Sequence, residues 1–113
     1  MNSQNVRKRR TDRNQVLYFI QDTVTLDYYI GLTAVCFAGN VRKTLTRRMQ
    51  KHMQRAMTEQ KNWGLSCALR EHGAERFVFG MIEIVRGKRP AHARETDLIN
   101  TLQPALNTFG AKE

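Results

Sequence analysis

The sequence is poor in cysteine and has no long apolar segment. Its two cysteines, Cys36 and Cys67, are not part of a CxxC motif, which argues against both a disulfide-stapled secreted scaffold and a structural zinc site. No run reaches the roughly 18 apolar residues of a membrane span. The basic N-terminal segment is not followed by an apolar signal sequence. The sequence therefore predicts an intracellular, cytoplasmic protein with no membrane partner.

Acidic residues are also scarce. Nineteen Lys and Arg face ten Asp and Glu, giving a formal net charge of +9 in 113 residues. The basic residues are concentrated in residues 1–14 and in the stretch 41–58, which contains no acid. Such an excess of positive charge in a small domain indicates a polyanionic partner, most often nucleic acid.

Hydropathy patterning predicts a single α+β domain. Residues 1–14 have no apolar periodicity and are interpreted as a flexible basic N-terminal arm, with the domain spanning 15–113. Runs rich in aromatic and β-branched residues predict strands, and three- and four-residue apolar spacing predicts helices. The predicted strands are 16–21, 26–32 and a buried run at 76–85, and the predicted helices are 41–59, 64–72 and 91–102. The resulting fold is a three-stranded antiparallel sheet flanked by helices, in the order ββααβα.

Charged residues occur at packed positions of two predicted helices. His52 falls inside the apolar stripe of the first helix and Arg48 lies at its edge, which indicates that something anionic meets them there. Glu95 points along the packed face of the third helix, and a metal ion is a good partner for a carboxylate so placed. The core positions expected from these helices are Met49, Met53, Met57, Leu98, Ile99 and Leu102, with Gly87 and Pro90 in a loop before the third helix.

Several short motifs occur in order along the domain. They are Tyr18 in VLY, Tyr29-Ile30-Gly31 with Thr33 in YIGLT, Leu45-x-x-Arg48-Met49-x-x-His52, the passage 69–77, Glu95, and Pro104-Ala105-Leu106-Asn107. With these motifs the chain resembles the GIY-YIG nuclease family over residues 16 to about 109. It departs from the family pattern in the first tripeptide, which keeps only the tyrosine. The gap between Gly31 and Arg48 is also longer, which predicts an insertion at about 35–43.

The resemblance implies a catalytic set and a metal. It implies hydrolysis of a phosphodiester bond with one divalent ion, Mg²⁺ or Mn²⁺, held by Glu95. An arginine supplies positive charge where negative charge develops, and Arg48 has Arg42 and Arg47 as rivals for this role. The catalytic residues expected from the resemblance are Tyr18, Tyr29, Arg48, His52 and Glu95. The expected substrate-binding residues are Gly31, Arg42, Lys43, Arg47, Lys51, Arg55 and Asn107.

These features predict a metal-dependent DNA endonuclease that is structure-specific or only weakly sequence-specific. Duplex or branched DNA is the expected substrate, with RNA left open, and a homodimer or a protein partner would supply further specificity. A module of this size suits a phage or mobile element, whose product would act in the host cytoplasm. The alternative is a catalytically inactive nucleic-acid-binding, architectural or inhibitory protein on the same fold.

Overall fold

The structure is a computed structural model that describes residues 13–59 and 63–107. The described residues form β1 (Asn14–Asp22), β2 (Tyr28–Ala34), α1 (Val41–Glu59), α2 (Gly64–His72), β3 (Phe77–Arg86) and α3 (Lys88–Leu102), with short 3-10 turns at Ala74–Arg76 and Ala105–Asn107. This order confirms the predicted ββααβα architecture. Residues 1–12 of the predicted basic arm lie outside the described residues, and Asn14, which was assigned to the arm, is the first residue of β1 because it pairs with Arg86. No helix in the described part of the chain is long and apolar enough to cross a membrane.

The three strands form one antiparallel sheet in the order β2-β1-β3. The central strand β1 is buried on both pleat faces, because four consecutive residues from Gln15 to Tyr18 are all buried. The β1–β2 register is continuous and places Tyr18 opposite Gly31. The β1–β3 register shifts between Leu17 and Tyr18, which leaves Ile82 of β3 as the extra residue of a bulge.

Helices α1 and α2 cover one face of the sheet, and α3 packs against the other. The core under α1 and α2 contains Val16, Tyr18, Ile20, Leu45, Met49, Ala56, Leu65, Leu69 and Phe77. On the opposite pleat face Leu17 is fully buried, as is Ala91 of α3. Arg94 of α3 donates to Glu83, the strand partner of Leu17, over 2.9 Å. The two edge strands of the sheet are β2 and β3.

The prediction that the third strand is buried was wrong. Phe77 is buried, whereas five apolar side chains of β3 are exposed by a third to a half: Val78, Phe79, Met81, Ile82 and Ile84. The physical reason is that β3 is an edge strand that pairs only with β1. An apolar run of this length does not distinguish a central strand from an edge strand.

The ends of two helices also differ from the predictions. Met57 and Leu102 are about half exposed, so neither is a core residue; each lies in the last turn of its helix. The third helix begins at Lys88, and Gly87 caps it instead of lying in a loop. Pro90 therefore sits in the first helical turn, where the missing backbone N–H costs no hydrogen bond.

A buried aspartate fixes the connection between β1 and β2. The Asp22 carboxylate accepts the backbone N–H of Val24 (2.7 Å) and of Thr25 (3.2 Å), and the Nε of Arg76 (2.8 Å). The Arg76 guanidinium holds the pKa of Asp22 well below its usual range. These contacts tie the hairpin turn to the chain entering β3.

Candidate active site

Gly31 makes room for the Tyr18 side chain. A Cβ atom at position 31 would lie 2.5 Å from both Cζ and Oη of Tyr18, and 2.8 Å from the ring of Tyr29. The β1–β2 pairing is regular at this position, and the bulge of the sheet lies in β3. Gly31 lets an aromatic ring from the central strand lie across the edge strand.

The Tyr18 hydroxyl joins two residues of α1. Its oxygen lies 2.7 Å from Nε2 of His52 and accepts a hydrogen bond from Nε of Arg48 over 3.3 Å. An arginine can only donate, whereas a neutral histidine accepts or donates through Nε2 according to its tautomer, so Tyr18 can pass its proton to His52 when the ring proton of His52 is on Nδ1. Arg48 and His52, one helical turn apart, thus meet at a single oxygen atom.

The ring of Tyr29, on β2, packs against Tyr18 and His52. Its ring centroid lies 6.2 Å from that of Tyr18 and 5.3 Å from that of His52, the latter in an edge-on contact. Tyr18 and His52 are buried, and Tyr29 is half-buried. The two tyrosines predicted as catalytic are therefore neighbours of the same histidine, although the hydrogen bond to it comes from Tyr18.

Glu95 of α3 is the acidic member of the cluster. Its side chain is 22% exposed, and its Oε1 lies 3.6 Å from Nδ1 of His92. Burial raises the pKa of Glu95, while His92 acts in the opposite direction. The Glu95 charge contributes to raising the pKa of both Tyr18 and Tyr29, which places its carboxylate within electrostatic reach of the two hydroxyls. The fold thus brings all five predicted catalytic residues into one region.

Burial keeps the tyrosines and the histidine uncharged. It raises the pKa of Tyr18, although Arg48 opposes the shift, and it also raises the pKa of Tyr29. The pKa of His52 is lowered to about 4, first by burial and then by the charges of Arg48 and Arg55. At neutral pH Tyr18 therefore keeps its proton and His52 is a neutral imidazole.

This architecture is similar to that of a protein of solved structure. The chain is similar to the catalytic domain of intron endonuclease I-TevI, with a TM-score of 0.63 and 17% sequence identity, over 86% of this chain and 92% of that domain. The fold is GIY-YIG-like. No family model matches the sequence. No curated protein matches it either. The resemblance predicted from the short motifs is thereby confirmed at the level of the fold.

Among the described residues, Glu95 is the carboxylate that lies with the candidate catalytic side chains and is available to a divalent metal. Within residues 13–59 and 63–107, no three His, Cys, Asp or Glu side chains are grouped so that they could hold a metal ion. Magnesium, however, keeps several waters and commonly takes one or two carboxylates together with substrate phosphates. The partly exposed Glu95 fits this mode of binding, and does not fit a site made entirely of protein ligands.

The basic residues of α1 fall into separate groups. Arg42 and Arg47 are exposed, and it is Arg48 that bonds to Tyr18. Lys43 and Lys51 are also exposed on the helix. Arg55 instead bonds Glu59 over 3.2 Å and lies over the ring of Trp63. The geometry therefore favours Arg48 over its two rivals, and it directs Arg55 toward the start of α2.

Asn107 holds the open edge of β2. Its Oδ1 accepts the backbone N–H of Ile30 over 2.8 Å, and its Nδ2 donates to the carbonyl of Ile30 over 2.9 Å. Ile30 lies between Tyr29 and Gly31, so the Asn107 amide satisfies the backbone groups of the edge strand next to the site. These contacts give Asn107 a role in fixing the backbone beside the site, and its expected contact with substrate stays a prediction.

Sequence reasoning missed His92 and Phe37. His92 lies beside Glu95 and lines a groove with Arg48. Its spacing of three residues from Glu95, which places both on one face of a helix, was the available signal. Phe37 lies in the turn between β2 and α1, and nothing in its sequence context separates it from an ordinary loop aromatic.

Replacing Gly31 by alanine is expected to destabilise the protein by about 1–3 kcal/mol, because the new methyl group would overlap the Tyr18 ring. Thermal unfolding followed by circular dichroism measures this as a lower Tm, by roughly 5–20 °C for a domain of this size. The matched comparison is the same substitution in a Tyr18→Ala background. There the penalty should shrink, and an equal penalty in both backgrounds would contradict the packing argument.

Proposed function

We propose that the protein is a divalent-metal-dependent endonuclease that hydrolyses DNA phosphodiester bonds. The observation that carries the proposal is the Tyr18 oxygen, which bonds both Arg48 and a neutral His52 within electrostatic reach of Glu95. A packing tyrosine needs one hydrogen-bond partner at most. Its joint contact with a fixed cation and a proton acceptor is the arrangement required for moving a proton next to an anionic substrate.

Arg48 is assigned to the stabilisation of developing negative charge. It lines the groove beside Thr33 and His92, where its guanidinium can meet a phosphoryl oxygen. In the transition state of phosphodiester hydrolysis, negative charge accumulates on the phosphoryl oxygens. A preorganised cation aimed at that position stabilises the transition state more than the ground state.

Tyr18 and His52 are assigned to proton transfer. Water that attacks phosphorus must lose a proton; the Tyr18 oxygen takes it while the hydroxyl proton of Tyr18 passes to Nε2 of His52. In the free protein the raised pKa of Tyr18 and the lowered pKa of His52 oppose this transfer. A bound phosphodiester brings negative charge close to His52 and offsets Arg48, which raises the pKa of the histidine toward the range needed.

Glu95 is assigned to holding the metal. When bound there, Mg²⁺ or Mn²⁺ would supply positive charge that polarises the phosphoryl oxygen and stabilises the leaving oxygen. The half-buried position of Glu95 keeps its carboxylate among the catalytic side chains and limits its contact with bulk water.

The exposed cations of α1 are assigned to the DNA backbone. Arg42, Lys43, Arg47 and Lys51 project from the solvent side of the helix. Phosphate contacts of this kind position a protein on DNA without reading its sequence. Structure-specific or weakly sequence-specific cleavage therefore follows, with sequence preference to be supplied by a homodimer or a partner protein.

The test is cleavage of supercoiled plasmid and of branched duplex in Mg²⁺, Mn²⁺ or EDTA. We expect nicking in either metal and none in EDTA. Arg48→Ala should reduce single-turnover cleavage by at least about 10²-fold, because it removes a charge aimed at the transition state, and should leave DNA affinity within a few-fold. Arg86→Ala, which alters an exposed arginine on β3, is the control and should cleave at the wild-type rate under saturating protein.

The other candidate function makes a different prediction in the same assay. A catalytically inactive DNA-binding or architectural protein would bind DNA with an affinity that falls steeply from low to moderate salt, and would cleave in none of the metals. That outcome would refute the nuclease proposal and retain the DNA partner.

A further inference from the structure

The turn between β2 and α1 holds an unusual backbone conformation. Phe37 and Ala38 have positive φ angles of 55° and 56°, and Gly39 follows with 86°. A non-glycine residue in the left-handed region costs on the order of 1–3 kcal/mol and persists where its surroundings impose it. Two such residues in succession form a turn that needs contacts from the surrounding structure to hold its shape.

Hydrogen bonds from α1 maintain that shape. Thr44 accepts the backbone N–H of Cys36 over 2.9 Å and lies within hydrogen-bond distance of the Asn40 carbonyl at 2.8 Å. The Asn40 side chain in turn accepts the backbone N–H of Lys43 over 2.9 Å. The turn is therefore attached at both ends to the first turn of the helix, and the side chain at position 37 is presented in a defined place.

That side chain is an exposed aromatic ring. Phe37 is 44% exposed, and the ammonium of Lys43 lies 5.3 Å from the ring centroid. A ring left this accessible contributes little to a hydrophobic core. Its position is better explained by contact with something outside the domain.

Phe37 forms one wall of a basic groove that leads to the candidate active site. The groove has a volume of about 330 Å³. Of the described residues that line it, none is acidic. The lining includes Thr33, Phe37, Thr44, Arg47, Arg48 and Lys51. An aromatic face, guanidinium and ammonium groups, and hydroxyls are the groups that recognise a nucleotide base and its phosphate.

We propose that this groove is a subsite for the nucleotide next to the scissile phosphate, with Phe37 stacking on its base. Arg47 and Lys51 hold the adjoining backbone phosphate, and Arg48 faces the phosphate that is cut. A base inside a continuous duplex has no free face to stack on a side chain. The substrate class is therefore DNA with an unpaired base beside the cleavage point, such as a bulge, flap or junction. This inference rests on the proposed function.

The test compares binding to two DNA duplexes that differ only by one unpaired base, measured by fluorescence anisotropy in EDTA. Wild type should bind the DNA with the unpaired base about tenfold more tightly, because each stacked base contributes strongly to affinity. Phe37→Leu keeps an apolar side chain at the same backbone position and should lose this preference while retaining duplex affinity. Phe37→Trp should keep it. Phe79→Leu, an exposed aromatic on β3, is the matched control and should behave as wild type.

A direct readout comes from 2-aminopurine at the unpaired position. Its fluorescence should be quenched on binding to wild type and not on binding to Phe37→Leu. Equal affinities of the wild type for the two duplexes, or a preference unchanged in Phe37→Leu, would overturn the subsite. Preference for the unpaired base without cleavage in any metal would refute the nuclease proposal and leave the stacking site standing, so the two failures are distinguishable.

Discussion

Replacing Glu95 by glutamine is expected to reduce DNA cleavage by about 10³-fold, which corresponds to about 4 kcal/mol of transition-state stabilisation. Glutamine keeps the size of the side chain and removes the charge that would hold the metal. DNA affinity should stay the same or increase slightly, because one negative charge is lost beside a basic groove. The measurement is single-turnover cleavage of a branched duplex at saturating protein, together with anisotropy binding in EDTA.

The matched control for this substitution is Glu83→Gln. Glu83 is a partly exposed carboxylate of β3 that accepts from Arg94 of α3 over 2.9 Å. Its loss removes a surface ion pair, worth at most about 1 kcal/mol of stability, and should leave cleavage unchanged. Wild-type cleavage by Glu95→Gln, or equal losses in both variants, would show that Glu95 does not hold the metal.

The second large effect is expected for Tyr18→Phe, which should slow cleavage by about 10²–10⁴-fold. The substitution retains the ring over Gly31 and removes the oxygen shared by Arg48 and His52. It also leaves the buried His52 without its hydrogen-bond partner, at a cost of about 1–3 kcal/mol. Cleavage should therefore be compared at a temperature at which thermal unfolding shows both proteins to be fully folded.

Two further tyrosine variants make this prediction specific. Tyr28→Phe alters a half-buried tyrosine on the other pleat face of β2 and should leave cleavage unchanged. Tyr29→Phe tests the second candidate catalytic tyrosine. The geometry predicts a smaller loss of cleavage than for Tyr18→Phe, because Tyr29 contacts His52 through its ring. Full activity of Tyr18→Phe together with a loss of cleavage in Tyr29→Phe would assign the proton transfer to Tyr29 instead of Tyr18.

The elements of the fold were predictable because local periodicity follows from local geometry. The first helix was predicted at 41–59 and is Val41–Glu59, since apolar residues every three or four positions have no other regular solution. The hairpin and the second helix were also recovered. The location of β3 was predicted correctly and its burial was not, because the position of a strand within a sheet depends on which strands pair.

The sequence allows the residues of the candidate site to be named, but not the hydrogen bonds that join them. Arg48 and His52 could be placed together because they lie one turn apart on one helix. Both residues contact the Tyr18 oxygen only because the strand register places Tyr18 opposite Gly31. The apolar spacing of a helix does not predict the register between two strands. The contact of Asn107 with Ile30 could not be predicted for the same reason, because the two residues are 77 positions apart and only folding brings them together.

Charge, apolar spacing and the short motifs determine a basic α+β domain and the residue types available for chemistry, because these properties depend on neighbours along the chain. Tertiary structure alone decided that Tyr18 joins Arg48 to His52, that β3 is exposed, and that Phe37 faces a basic groove. Each of these depends on the relative placement of separate elements. Burial then sets the protonation of the site, holding His52 neutral with a pKa of about 4 where its sequence context alone would allow an ordinary histidine.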